Sequence, residues 1–410
     1  GDLNRKGLRV LGVAQKTNPP PVDEFSVKDE TDMVLIGYLA FLDPPKESTK
    51  EAIQALKDHA VDVKVMTGDT ELVTIAVANQ VGLPTDRVIS GEKLMDKTDD
   101  ELKIIVEEHD LFVKLNPTQK SRLVGILRGN GHVVGFLGDG INDSPALRAS
   151  DVGISVDNAV DIAKESADII LLEKDLMILE QGILSGRKIF GNTMKYIKAT
   201  TSSNFGNVFS VLLASLFLPF LPMLPIQLLF LGLIYEISSM SIPWDNMDEE
   251  YLNKPKKWEA ASIRKFMVWF GPTSSIFDIT TFLISFFLIA PSIAGGSYGS
   301  LDPGQKALFI AVFQSSWFIV SLWTQTLVLH TLRTPKIPFI ESNASFIMTT
   351  ITSLGIIVGS VAPYTKLGEL LGLAPLPMSA WWMLIITVIA YLALVQIMKN
   401  IYVKRYGELL

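Results

Sequence analysis

The chain has 410 residues, with 36 lysines and arginines against 43 aspartates and glutamates, a net charge of -7 and no cysteine. That balance offers no basic face for nucleic acid, and without thiols neither a disulfide framework nor a thiolate metal site can form. Composition is uneven: upstream of about residue 190 charged and apolar residues mix as in a soluble α/β domain, whereas downstream one long apolar stretch follows another.

Leu8 to Ala14 reads as an apolar strand, followed by a loop, Asn18 to Glu24, whose three consecutive prolines cannot join a helix interior or a central strand. Val34 to Leu42 is a strong strand ending at the stiff corner Asp43-Pro44-Pro45. A helix over 46–59, a strand over 61–66 and a helix over 70–81 then give the β-α-β-α order of a parallel sheet with helices on its faces. The strand Phe112 to Leu115, a helix from Pro117 to Arg128 and the strand Val133 to Leu137 continue it. Shorter strands over 152–155 and 168–172 close it.

In such sheets ligands bind beyond the carboxyl ends of the strands, and three groups of residues fall there. The run Gly138-Asp139-Gly140-Ile141-Asn142-Asp143-Ser144-Pro145-Ala146-Leu147 leaves an apolar strand through a glycine turn, where backbone can approach a ligand closely, and Pro145 suits the first turn of a helix. Asp139 and Asp143 are thereby grouped at one corner. Hard carboxylate oxygens suit Mg2+, which binds through one or two carboxylates together with substrate phosphate oxygens. Thr67-Gly68-Asp69 follows another strand, and Lys120 sits early in the helix after Asn116-Pro117. Each alone is ordinary; together a hydroxyl, an ammonium and two carboxylates form a set for phosphoryl transfer. The chain holds no G-x-x-x-x-G-K-[ST] phosphate loop. His59, His109, His132 and His330 lack metal-ligand spacing and read as structural. Asp96-Lys97-Thr98, ahead of the acidic helix Asp99 to Glu108, reads as solvated surface.

Apolar stretches at about 201–221, 224–244, 266–290, 305–330, 344–363 and 379–398 are each long enough to span a bilayer. Lysines and arginines gather in alternate loops, which puts both chain ends and the soluble half on the cytoplasmic side. Two acids fall within the spans, Glu236 and Asp278, and such residues are functional candidates because a buried charge costs roughly 2.5 to 3.5 kcal/mol at a helix centre. Asp278 reads as structural. Asn204 and Asn207 offer amide carbonyls, fit either for a divalent cation or for interhelical hydrogen bonds. Asp245 and Asp248 read either as guides for cation exit or as a solvated turn. One helix from about Ile183 to Leu218, about 54 Å long at 1.5 Å per residue, joins the two halves.

Asp43-Pro44-Pro45, Thr67-Gly68-Asp69, Asn116-Pro117-Thr118-Gln119-Lys120 and the run Gly138 to Leu147 resemble, in order, the motifs of P-type ATPases. Ser203 to Ser210, Phe220 to Pro225 and Ile242 to Asp248 resemble the magnesium-transporting branch, and the likeness covers essentially the whole chain as the carboxyl-terminal half of such a pump. The resemblance implies α/β plus membrane all-α architecture: the tail of a nucleotide-binding domain (1–42), a haloacid-dehalogenase-like, Rossmann-type phosphorylation domain (43–185) and a six-helix transmembrane bundle (186–410). It implies ATP and Mg2+ as cofactors, an inner-membrane location, a transported divalent cation and a partner amino-terminal half. By the same resemblance Asp139 holds the catalytic Mg2+ beside Gly140, and Thr67 and Asn142 bond phosphoryl oxygens. Lys120 neutralises charge, Asp143 orders that corner, Thr67-Gly68-Asp69 lines the site, and Asn204, Asn207 and Glu236 meet the transported ion. The chain departs from the family in lacking Asp-Lys-Thr-Gly-Thr, whose aspartate is the nucleophile, so it is expected to be inactive alone and looks like a piece of something longer. Glu236 stands where the family has an aspartate and Gly232 where many members have an asparagine, which leaves Ca2+ or H+ as alternatives to inward Mg2+ transport. A non-enzymatic remnant is the other alternative.

Overall fold

Short strands alternating with helices build the first part of the chain, and long apolar helices the second. The computed structural model describes residues 8–16, 30–42, 44–46, 48–173 and 175–410; the Asn18 to Glu24 loop and Asp43 of the proline corner lie outside them. The chain divides into two units, Gly1–Leu184 and Ser185–Leu410.

In the first unit β1 (Leu8–Gln15) and β2 (Val34–Leu42) pair antiparallel with each other and with no other described strand. This corrects the expectation that Val34 to Leu42 opens a parallel sheet. Its apolar residues do not alternate, so the sequence pattern carried no information on which neighbour it would take.

The chain continues through α1 (Ser48–Asp58), β3 (Val65–Met66), α2 (Glu71–Val81), β4 (Val88–Ser90), α3 (Gly91–Leu94), α4 (Asp99–Glu108), β5 (Leu111–Val113) and α5 (Pro117–Gly129). It ends the α/β pattern with β6 (Gly135–Leu137), α6 (Ser144–Ala149), β7 (Val152–Val156), α7 (Asp161–Glu165) and β8 (Ile169–Leu171). The expected single parallel sheet is in fact two three-stranded parallel sheets, ordered β3-β5-β4 and β6-β7-β8. In each, one edge belongs to a strand, β3 or β6, that is bonded on one side only among the described residues. The expected strand over 61–66 shortens to two residues because only Val65 and Met66 find partners, Leu111 and Phe112.

Both sheets are held by helices packed on apolar strands. All three residues of β5 are fully buried, and Phe112 packs with Leu102 and Val106 of α4 and Leu123 and Leu127 of α5. Ile154 and Val156 of β7 pack with Ala146 and Leu147 of α6 and Val124 of α5. Partly buried Met66 and Val134 join both clusters, so α5 and these two residues hold the sheets together.

From α8 (Leu176–Phe217), which begins earlier than the expected Ile183, the second unit follows as α9 (Pro225–Ser239), α10 (Glu249–Leu252), α11 (Ala260–Ile284), a π-helical turn and α12 (Ala290–Ala294). After it come α13 (Pro303–Leu332), α14 (Phe346–Val361), α15 (Lys366–Leu370) and α16 (Met378–Tyr406). Among the described residues five segments are long and apolar enough to cross a membrane: Pro225–Trp244, Ala260–Ser300, Pro303–Leu332, Phe346–Tyr364 and Met378–Tyr406. The expected six are thus corrected to five. The stretch at 201–221 falls short because Thr201, Ser202, Ser203, Asn204, Asn207 and Ser210 dilute its apolar character.

Those small polar residues let helices approach closely. A Cβ on Gly206 of α8 would lie 2.2 Å from Ser274 Oγ, and one on Gly271 of α11 would lie 2.6 Å from a Phe205 ring carbon. Ser275 Oγ donates to the Gly206 carbonyl at 3.2 Å. Backbone proximity of this kind is the usual basis of helix association in lipid.

Candidate functional site

The Thr67-Gly68-Asp69 turn leaves β3 and is fastened to the segment leaving β5. Lys114 N–H donates to the Asp69 carbonyl at 2.9 Å and Leu115 N–H to the Thr67 carbonyl at 3.0 Å. Within the turn Asp69 N–H and Thr67 Oγ1 are 3.1 Å apart. Asn116 then caps α5: its side chain accepts from Gln119 N–H at 2.8 Å while Gln119 Oε1 accepts from Asn116 N–H at 3.0 Å, and Pro117 fits the first helical position. This cap fixes the phase of α5 so that Lys120 turns inward.

Lys120 Nζ reaches Asp143 Oδ1 at 2.7 Å, and both side chains are largely buried. Asp143 Oδ2 accepts from Gly140 N–H at 3.3 Å. Gly138 is required by this fold of the turn, since a Cβ there would lie 2.5 Å from Asp143 Cβ. Ser155 Oγ of β7 donates to the Gly138 carbonyl at 2.9 Å and pins the turn from beneath. With both Asp143 oxygens engaged inside the chain, Asp139 is the carboxylate left facing outward. It is exposed and lines, with Gly138, Lys46, Thr49 and Asp175, a pocket of about 350 Å³. Asn142, beside it, is also exposed.

No group of three or more histidine, cysteine or acidic side chains able to hold a metal occurs among the described residues. One exposed carboxylate at a roomy pocket does fit Mg2+, an ion that keeps waters and takes its remaining ligands from substrate oxygens. Asp96-Lys97-Thr98 is surface structure: Lys97 pairs with Glu101 at 2.7 Å and Thr98 caps α4.

In the helical unit the three expected ion ligands are not brought together. Asn204 and Glu236 are exposed, while Asn207 Oδ1 accepts from Gln325 Nε2 of α13 at 3.0 Å. Helical phase explains Glu236, because its neighbours Tyr235, Ser238 and Ser239 form the buried face of α9. Asn207 and Gln325 instead line a small cavity of about 20 Å³ with Asp278, Ser203, Ser274 and Thr324 on its polar side and Phe270, Val328 and Leu332 on its apolar side. Asp278 accepts from Ser210 Oγ at 2.6 Å and from Trp317 Nε1 at 2.9 Å. No spacing signal predicts this cluster, whose members come from α8, α11 and α13.

Asp245 is not a solvated turn. It is fully buried, and one carboxylate oxygen accepts from Lys195 Nζ at 2.6 Å and Arg333 Nε at 2.7 Å. The other accepts from Ser345 N–H at 3.0 Å. Desolvation pushes its carboxyl up, but Lys195 and Arg333 outweigh it and hold the group below the ordinary carboxylate range. Asp248 accepts from Thr334 Oγ1 at 2.6 Å and Ser342 Oγ at 2.7 Å. These acids clamp α8, the segment after α9 and the end of α13.

Residues 13–151 match the haloacid dehalogenase-like hydrolase family, and residues 220–401 match the family described as cation transporting ATPase, C-terminus. The magnesium-transporting ATPase, P-type 1, of Salmonella typhimurium is 50% identical over 412 residues, covering 99% of this chain and 44% of that protein. Its namesake in Escherichia coli K12 is 49% identical over 405 residues, with the same shares. A calcium-transporting ATPase 1 of Saccharomyces cerevisiae is 32% identical over 261 residues, covering 62% of this chain and 27% of that protein. The chain therefore spans less than half the length of the curated relatives it matches.

Proposed function

Since the chain belongs with the P-type cation-transporting ATPases, we propose that it supplies the phosphoryl-receiving corner and most of the ion path of a pump that moves Mg2+ inward. ATP hydrolysis through an aspartyl-phosphate would drive that movement. The observation that carries this reading is the strand-end corner, where Lys120 is bonded to Asp143 at 2.7 Å and Asp139 is left facing a pocket. Asp139 would hold Mg2+ beside Gly140, and the ion when bound supplies charge neutralisation at the phosphoryl oxygens. Thr67 and Asn142 would bond those oxygens, with Gly68 and Asp69 shaping the Thr67 turn. Lys120 would balance their charge, and Asp143 acts as a positioning residue through Lys120. An extended segment carrying Asp-Lys-Thr-Gly-Thr has backbone to pair with at β3 and β6, each bonded on one side only among the described residues.

The α/β unit is read as lying on the cytoplasmic side of the membrane that the apolar helices would cross. Asn204 and Glu236, both exposed, would meet the ion once further protein covers them, whereas Asn207 is already engaged by Gln325 within the helical unit. Magnesium is favoured over calcium because identity is 50% across 99% of the chain for the magnesium relative and 32% across 62% for the calcium one. Co-production with a polypeptide bearing Asp-Lys-Thr-Gly-Thr should restore a vanadate-sensitive ATPase that loads Mg2+, lost in Asp139→Asn. An assembled complex that forms no phosphoenzyme, or an Asp139→Asn complex that turns over normally, would refute the reading.

A further inference from the structure

Asp278 lies about 27 Å along α11 from its start, at 1.5 Å per residue, well inside the apolar segment Ala260–Ser300. It is 5% exposed. Its two hydrogen-bond donors, Ser210 of α8 and Trp317 of α13, are both neutral. The elements around it bring no countercharge: α8 and α13 present hydroxyls, amides and the indole, and α16 presents Tyr391, the one other titratable group lining the adjoining cavity. A carboxylate in that setting must be neutralised, since an unpaired charge removed from water is strongly disfavoured.

A metal ion and a proton are the two available neutralisers, and the hydrogen bonds separate them. A metal needs several converging acceptor oxygens, yet Asp278 Oδ1 already accepts from Trp317, Oδ2 is bonded to Ser210, and Asn207 Oδ1 accepts from Gln325. A proton needs one oxygen. Ser210 donates to the carboxylate form; in the neutral acid that 2.6 Å bond reverses, the acid O–H donating to Ser210 Oγ while its carbonyl oxygen keeps the Trp317 N–H. The adjoining cavity of about 20 Å³ has room for one water among polar groups, which is a means of exchange.

We propose that Asp278 is a proton-binding site inside the helical unit, carrying a proton in this structure and exchanging it through the water-sized cavity beside it. Exchange is simple acid dissociation: the O–H bond breaks, its electron pair stays on the carboxylate, and the proton passes to a water as hydronium. The proposal concerns the helical unit alone and does not rest on the pump reading.

The test is infrared spectroscopy of the whole chain in phospholipid vesicles. At neutral pH it should show a carbonyl band of a protonated carboxyl that is absent from Asp278→Asn and retained in Glu236→Gln. The band should shift down in heavy water and vanish at alkaline pH. Trp317→Phe, which keeps the acid but removes a donor to its carbonyl, should shift the band to higher frequency. Identical spectra from the parent and an equally protease-resistant Asp278→Asn chain would overturn the proposal. So would an Asp278 band that responds neither to heavy water nor to pH, which is the behaviour of a sealed structural acid.

Discussion

Replacing Asp245 by asparagine keeps the side chain's shape and removes its charge, leaving Lys195 and Arg333 with 3% and 2% of their side chains exposed and no carboxylate between them. Removing one partner of a buried ion pair costs about 3 to 5 kcal/mol, because the other charge stays desolvated. Here one acid serves two cations, which argues for the upper part of that range. Asp248 lies close enough to act on Lys195 and offsets some of the loss. We expect a loss of about 4 kcal/mol, roughly a thousandfold in the folding equilibrium. The helical unit's unfolding midpoint, followed by tryptophan fluorescence in detergent, measures it. A double-mutant cycle with Arg333→Met should return a coupling of about 1 to 3 kcal/mol, since those residues share one hydrogen-bond network. In the parent chain the Asp245 contribution should be complete above the unfolded carboxylate value of about 3.9 and decline as acid titrates the lower folded value. An Asp245→Asn chain within about 1 kcal/mol of the parent would show that the clamp adds nothing a surface pair would not.

Lys198 is buried with its Nζ donating to the Leu409 carbonyl at 2.9 Å, and burial pushes its amine down to about 8. The folded state then binds fewer protons than the unfolded one up to about 10.4, so stability should rise with pH across that window, and Lys198→Met should flatten the rise. Asp143→Ala in an assembled complex should cut phosphoenzyme formation about a hundredfold, by freeing Lys120 from its position, with folding of the α/β unit retained on circular dichroism. Gly206→Val should cost about 1 to 3 kcal/mol in thermal unfolding, since its side chain would enter space held by Ser274 of α11. Because the chain has no cysteine, Glu236→Cys gives a unique thiol; on the outward apolar face of α9 it should react with a membrane-permeant maleimide in the chain alone and be protected in the assembled complex.

The strand-end corner was legible in the sequence because its determinants are local. Asn116 and Gln119 cap each other three residues apart, Pro117 fixes the first turn, and Gly138 lies five residues from the Asp143 side chain that needs its missing Cβ. Apolar runs likewise marked the long helices, although α8 begins at Leu176, ahead of the expected Ile183. What failed was everything decided by distant pairing. β2 carries apolar residues on both faces and could have joined a parallel sheet or a hairpin, and nothing in its ten neighbours chooses. Asp245 reads as a turn because Asn246 and Asp248 follow it. The missed signal was the pair of cations placed to meet it, Lys195 and Arg333, 50 and 88 residues away.

The two intramembrane acids make the same point more sharply. They lie at similar depth in successive spans and looked alike, with Glu236 the stronger ion ligand and Asp278 a structural group. Helical phase separates them: Asp278 faces α8 and α13 and is enclosed, whereas Glu236 shares a face with Leu229, Leu233 and Met240, which are 69%, 55% and 69% exposed. A carboxylate within an apolar stripe is costly to leave facing lipid, which sets Glu236 apart from the enclosed Asp278. The acid already enclosed by this chain, with a water-sized cavity beside it, is thus suited to a small and exchangeable occupant, a proton. Glu236, on the outward face, is suited instead to the proposed cation site, where an ion can enter and leave without breaking into the packed interior.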